Sequence, residues 1–409
     1  MAHSDIHVGL EIGTTKVSAV VAECGPDGEI HVLGVGETPS RGVRKGEIID
    51  MENASKCVRD ALEDAEEKSD HTIDSVWLAV TGGHVESLNH RVIETISDHT
   101  EGITDEEIRR VELRAGEIPI PPDNDVLHSI IQQYYVDGQN GVIDPVGMLG
   151  SRLEADYHII HGVKRRIQNA IRCVQDVVHI EVQDVVANSY ASAAAVLNQH
   201  QREAGTLVLD IGGGVTDYIV YRGGIVRHSG VLAIGGDHIN SDISLGLRLP
   251  LSRAERLKTD EGNAQLGKAL PGQKIVLKND SGFSGKDVER EMLNTIINAR
   301  VEELFQLIQK SVSSVVPLDL LGAGVLLTGG CSRLRGIREV AEQVFDIPVR
   351  LAHSQEVSGL LSAFENPRLS TCIGLVKYAQ AVHSEMQERS LLSSFFNKVK
   401  RSFPFRFAF

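Results

Sequence analysis

Two stretches of the 409-residue chain, about two hundred residues apart, place a carboxylate and a glycine at matching offsets, each followed within a few residues by threonine. The first runs Val8-Gly-Leu-Glu11-Ile-Gly13-Thr14-Thr15-Lys16, and the second Leu207-Val-Leu-Asp210-Ile-Gly212-Gly213-Gly214-Val215-Thr216-Asp217. These residue types suit a phosphate. Glycine lets backbone N–H groups approach an anion, threonine adds a hydroxyl donor, and a carboxylate just before the turn can hold Mg²⁺ through water. Gly13, Thr14, Thr15 and Lys16 are candidate phosphate ligands on one side, and Gly212, Gly213, Gly214 and Thr216 on the other. Glu11 and Asp210 are the candidate Mg²⁺ ligands, and an ordinary solvated lysine is the plain alternative for Lys16. Two such loops facing each other would grip one nucleotide from both sides.

Three further motifs extend the pattern. Gly329-Gly330 follows an apolar run at 324–328, where bare backbone lets the adenine-ribose part of a nucleotide lie flat at a sheet edge. Gly235-Gly236 opens a helix, and Glu255 and Lys258, one turn apart on another, share a face from which both reach ribose hydroxyls. Taken alone, these also read as helix-entry turns and an exposed ion pair.

The elements that must position these residues follow from periodicity. Each phosphate motif sits between Val- and Ile-rich runs, so each is the tip of a β-hairpin, and a duplicated hairpin implies a duplicated domain. Apolar spacing predicts helices at 53–68, 104–116, 163–178, 189–200, 251–264 and 286–315, and strands at 30–35, 76–81, 180–186 and 324–328. From 84 to 162 the texture becomes polar and β-rich, with turns at Asp137-Gly138 and Asn140-Gly141, as in an inserted α+β subdomain. Strands alternating with helices predict α/β architecture.

Composition narrows the function. With 41 basic and 56 acidic residues the net charge is −15, which argues against nucleic-acid binding. Five scattered cysteines without a C-x-x-C pair suit a reducing compartment, and neither a signal peptide nor an 18-residue apolar run is expected. The charge is uneven: after Glu388 there is no acid, yet Arg389, Lys398, Lys400, Arg401 and Arg406 follow, with six of the ten phenylalanines. On a helix over 390–402, Leu391, Leu392, Phe395, Phe396 and Val399 share one face, while Lys400 and Arg401 lie towards the other and Phe403 follows. That predicts an amphipathic helix lying in an anionic membrane surface, each buried Leu or Phe contributing about 1.5–3 kcal/mol and each nearby cation about 1 kcal/mol. Pro404 ends that helix, leaving Phe405, Phe407 and Phe409 on an extended tail.

The order of parts resembles the actin, sugar kinase and heat-shock chaperone ATPase superfamily, and within it the FtsA family of bacterial cell-division proteins. The likeness rests on Leu10-Glu-Ile-Gly-Thr-Thr-Lys16, Ser40-Arg-Gly42, Lys45-Gly46, Gln133-Tyr-Tyr-Val-Asp-Gly138, Asp144-Pro-Val-Gly-Met148, Gly150-Ser-Arg-Leu-Glu-Ala155 and Leu326-Leu-Thr-Gly-Gly330. It implies an actin-like fold of two duplicated ribonuclease-H-like lobes. Residues 1–83, 163–200 and 366–388 would form the first lobe, 84–162 the inserted subdomain, 201–240 and 319–365 the second lobe, 241–318 a small outer subdomain and 389–409 a membrane-targeting tail.

The resemblance also implies ATP and Mg²⁺ as cofactors, self-association into filaments, and contact with later division proteins through the insert. It implies binding of the carboxy-terminal peptide of the tubulin-like protein FtsZ, at the cytoplasmic face of the cell membrane at the septum. Arg248, Lys258 and Lys286 are candidates for that acidic peptide. Catalysis is expected to be slow or absent. Val186 falls near the position where hydrolytic relatives carry a carboxylate, Asn188 is a poor substitute, Glu11 replaces the usual Asp, and Val215 replaces a threonine. The rival readings are a metabolic kinase or phosphatase and a pilus-assembly actin homologue, neither of which calls for an amphipathic tail.

Overall fold

The computed structural model describes residues 5–25, 28–96, 102–116, 118, 120–279, 285–360, 363 and 365–395, the last of these from 385 by backbone alone. Strands β1 (Asp5–Ile12), β2 (Lys16–Cys24) and β3 (Ile30–Pro39) form an antiparallel meander. A two-residue turn joins the short strands β4 (Val43–Arg44) and β5 (Glu47–Ile48). Helix α1 (Met51–Ser69) starts where the Asp50 carboxylate accepts the Asn53 N–H, and it buries the apolar stripe Ala54, Val58, Ala61, Leu62 and Ala65. Strand β6 (Ser75–Val80) then runs parallel to β1.

The insert is a separate four-stranded sheet. It contains β7 (Val85–Thr95), α2 (Asp105–Ala115) capped by a Thr104/Glu107 capping box, β8 (Asn124–Val136), β9 (Gln139–Val142) and β10 (Arg152–Val163), in the order β7-β10-β8-β9. Asp137-Gly138 makes the β8–β9 turn, whereas Asn140-Gly141 lies inside β9. Although the insert interrupts the first lobe, it also touches the second: the Ser87 hydroxyl donates to the Ser229 carbonyl at 2.6 Å, and His158 Nε2 lies 2.8 Å from Ser229 Oγ.

Helix α3 (Lys164–Arg172) ends in a π turn, Cys173–Val178, before His179 in the left-handed region. Strand β11 (Glu181–Ala187) pairs with β6. The helix expected over 189–200 divides into α4 (Asn188–Val196) and α5 (Gln199–Ala204), because Leu197 is extended and Asn198 with Gln201 builds a second capping box. Every residue of α4 is buried.

The second lobe repeats the first hairpin with β12 (Thr206–Ile211) and β13 (Thr216–Arg222), continued by β14 (Ile225–Leu232). Helices α6 (Gly236–Leu247) and α7 (Leu251–Glu261) follow. The expected helix over 286–315 has a strand in front: β15 (Lys274–Leu277) pairs with β16 (Lys286–Glu289), burying Ile275 and Val288, and only then does α8 (Arg290–Ser313) begin. Strand β17 (Gly324–Thr328) lies parallel to β12, followed by α9 (Ile337–Phe345) and β18 (Val349–Leu351), after which β19 (Val357–Gly359) returns to pair with β3 of the first sheet.

The two large sheets have the orders β11-β6-β1-β2-β3-β19 and β14-β13-β12-β17-β18, so each lobe places its hairpin beside a parallel strand. The final helix, α10 (Ser370–Phe395), packs so closely on α4 that a Cβ on Gly374 would overlap the Ala191 carbonyl. Its backbone runs unbroken through 389 and 390, where the tail was expected to begin. Leu391, Leu392 and Phe395 lie on this helix with their side chains outside the described set, and Phe396, Val399, Lys400, Arg401 and Phe403 lie outside the described residues. Among the described residues no helix is long and apolar enough to cross a membrane.

Candidate functional site

The two hairpins make the same turn. Gly13 N–H donates to the Lys16 carbonyl at 2.9 Å, and Gly212 N–H donates to the Val215 carbonyl at 2.9 Å. The tips then interlock. A Cβ on Gly213 would overlap the Thr15 side chain, and one on Gly214 would overlap Thr14 Oγ1, so the threonines of one tip occupy room that only glycine leaves in the other. The second tip is braced by α6: Gly236 N–H donates to the Gly212 carbonyl at 3.0 Å and Asp237 N–H to the Gly213 carbonyl at 2.8 Å.

Behind the tips lies a narrow cavity of about 60 Å³ lined by Glu11, Thr14, Lys16, Asn188, Asp210 and Asp217. It shares Thr15, Gly212, Gly213, Gly330 and Arg368 with a wider cavity of about 490 Å³ that is walled by Gly236, Glu255, Lys258 and Arg333. Another cavity, about 520 Å³ between α8 and α9, shares no residue with the cleft.

Antiparallel register sets Asp217 directly across from Asp210, and both are buried. Thr371 donates to Asp210 Oδ2 at 3.0 Å, Thr81 to Asp217 Oδ1 at 2.7 Å, and the Asn188 amide reaches Asp217 Oδ2 at 3.1 Å and Asp210 Oδ2 at 3.4 Å. Thus three first-lobe residues hold two second-lobe carboxylates. Burial, then the Glu11 charge, pushes Asp210 up to about 7, and burial with the Asp210 charge raises Asp217 well above the carboxylate range. Lys16 is tied down by Glu11 at 3.3 Å and Glu37 at 3.8 Å; burial opposes its charge, but those carboxylates raise its pKa overall.

Thr216 is placed differently from the other proposed ligands. It is fully buried, and its hydroxyl donates to the Ile234 carbonyl at 2.8 Å, which fixes the strand after the tip and leaves the cavity wall to Val215. Val186 is buried in β11 and lines neither cavity; Asn188, at the start of α4, is the residue that faces the carboxylates. Among the described residues its Oδ1 is buried without a hydrogen-bond partner. Lys258 is 8% exposed inside the wide cavity, bonded to Glu255 at 2.9 Å and to the Gly236 carbonyl at 3.2 Å, which withdraws it from the surface cations considered for a peptide. Lys286 donates to the Leu247 carbonyl, while Arg248 is exposed at the end of α6.

Sequence reading missed Thr81, Asp217, Arg368 and Thr371 as cleft residues. Asp217 was legible from register, because a residue as far beyond the turn as Asp210 is before it must face it. Thr371 and Arg368 arrive from the far end of the chain and carry no local signal.

The fold is actin-like. It aligns with the PilM–PilN type IV pilus biogenesis complex at a TM-score of 0.61 and 16% identity, covering 90% of this chain and 97% of that one. It also aligns with MreB 5 of Spiroplasma citri bound to AMPPNP at 0.52 and 15%, covering 94% and 98%. The family model for cell division protein FtsA matches residues 207–374, and that for the SHS2 domain inserted in FtsA matches 82–161. The cell division protein FtsA of Pseudomonas aeruginosa is 35% identical over 97% of this chain and 94% of its own length, and that of Neisseria meningitidis 36% over 96% of each. The chain belongs to the FtsA family of cell division proteins, with the SHS2 subdomain as its insert.

Proposed function

We propose that the cleft binds one ATP with Mg²⁺ and that the protein polymerises on the inner face of the cytoplasmic membrane at the septum. There it tethers FtsZ and recruits later division proteins through the insert. The observation that carries this reading is the interlocked pair of hairpin tips in a chain of the FtsA family. The donors fit the group: glycine backbone at both tips, the Thr14 and Thr15 hydroxyls, and acceptor oxygens on Glu11 and Asp210. Among the described residues no cluster of three or more His, Cys, Asp or Glu side chains could hold a metal by itself. Mg²⁺ would accordingly share its shell between these carboxylates, water and the phosphates it accompanies.

Hydrolysis is slow in this reading. The residue over the carboxylates is an amide whose N–H₂ is bound to Asp210 and Asp217, leaving only a neutral carbonyl to orient an attacking water. For anchoring, support comes from the basic, Phe-rich composition of the chain after Glu388 and from the avidity of many weak amphipathic anchors on one filament.

Liposome co-sedimentation with FtsZ and ATP tests the reading. FtsZ should pellet with anionic vesicles only when this protein is present, and Phe395→Asp with Phe396→Asp should leave both proteins in the supernatant. FtsZ that stays soluble while this protein pellets would contradict the tethering role.

A further inference from the structure

The phosphate end of the cleft has a third loop. Between β4 and β5, Lys45 (φ 52) and Gly46 (φ 76) both adopt left-handed backbone, the requirement of a tight hairpin turn in which Asn-Gly or Asp-Gly is the usual choice. A lysine held in this conformation is an outlier, and such strain gathers at functional positions. The turn is locked onto both tips. Gly46 N–H donates to Thr14 Oγ1 at 2.9 Å, and the Lys45 Cα lies 2.9 Å from where a Cβ on Gly214 would stand. Gly46 also lines the narrow cavity.

Apart from the Mg²⁺ proposed above, the cations lining that cavity are already matched by acids. Lys16 is neutralised by Glu11 and Glu37, and Arg368 lies 3.6 Å from Glu37. Lys258 stands at the sugar end, paired with Glu255. Among the described residues Lys45 is exposed and in no ion pair. Burial first, and next the Lys45 charge, hold His238, in the first turn of α6, below its ordinary pKa.

We infer that Lys45 is the ligand for the terminal phosphate of a nucleoside triphosphate, the contact by which the cleft distinguishes a triphosphate from a diphosphate. The inference rests on the nucleotide reading of the cleft. Strained backbone keeps the Lys45 Cα at the junction of the two tips, where its ammonium meets charge that a diphosphate lacks.

The test is equilibrium titration of the full-length protein with Mg-ATP and Mg-ADP. Lys45→Met should weaken ATP about tenfold or more and leave ADP within about twofold, whereas Lys45→Arg should keep ATP within about threefold. Lys45→Gly separates ligand from scaffold: it should raise the melting temperature, because glycine accepts the backbone freely, yet lose ATP preference as Lys45→Met does. If wild type binds both nucleotides and Lys45→Met changes neither, or weakens both equally, the assignment of Lys45 is overturned while the cleft reading stands. A wild-type protein that binds neither nucleotide overturns the cleft reading and this inference with it.

Discussion

The first hairpin tip and the second share one backbone turn and differ in what they hang on it. Gly13-Thr14-Thr15 presents two hydroxyl-bearing side chains; Gly212-Gly213-Gly214 presents none, and the threonines fit where the glycines are bare. Their carboxylates have diverged as well. Glu11 is matched by Lys16 at 3.3 Å, whereas Asp210 is sunk between the lobes, held by Thr371 and Asn188 and pushed up to about 7. A duplicated motif has become two halves that complement each other, one supplying donors and a countercharge, the other open backbone and a buried acid.

The largest expected effect comes from filling the bare half. Gly213→Val should abolish nucleotide binding, at least about a hundredfold, because its side chain collides with Thr15. If the collision is the cause, Gly213→Ala combined with Thr15→Gly should bind several-fold better than Gly213→Ala alone; a double-mutant cycle on affinity measures this, and simple additivity would break the interlock.

A smaller effect separates the acids. Asp210→Asn should remove most of the Mg²⁺ dependence of binding, seen as affinity that no longer drops on chelation. Glu11→Gln should retain part of it while leaving Lys16 with fewer partners. Equal losses in both variants would mean the two carboxylates have not diverged in role.

Next is the buried support. Thr371→Val removes a donor to the buried Asp210, and unfolding measurements should show a loss of about 1–3 kcal/mol. An unchanged midpoint would place Asp210 in easier contact with solvent than its burial indicates. The smallest effect is additive: Val215→Thr gives the glycine half a hydroxyl at the cavity wall and should tighten nucleotide by no more than about threefold.

Much of this arrangement was legible in the sequence because it is local. The hairpins, the helix predicted over 104–116 and the Gly329-Gly330 strand end are set by residues within a few positions of one another, so periodicity and turn chemistry expose them. The errors fell where neighbours decide. Residues 286–289 became a strand because Val288 pairs with Ile275 of the preceding strand, and Thr216 turned inward because Ile234 offers it an acceptor. The Asn198-x-x-Gln201 box that divides α4 from α5 was readable but masked by the alanine run around it. Asn188 displaced Val186 at the cleft because β11 ends at Ala187 and the chain turns there, a boundary that periodicity leaves loose by about two residues.

The central claim is that two tips make one nucleotide site. Isothermal titration of the full-length protein with Mg-ATP tests it most directly, run on wild type, on Gly213→Val and on Thr14→Ala with Thr15→Ala. One nucleotide per chain, lost on filling the second tip and weakened on stripping the first, is the predicted result. Two sites per chain, or full binding that survives both changes, would contradict it.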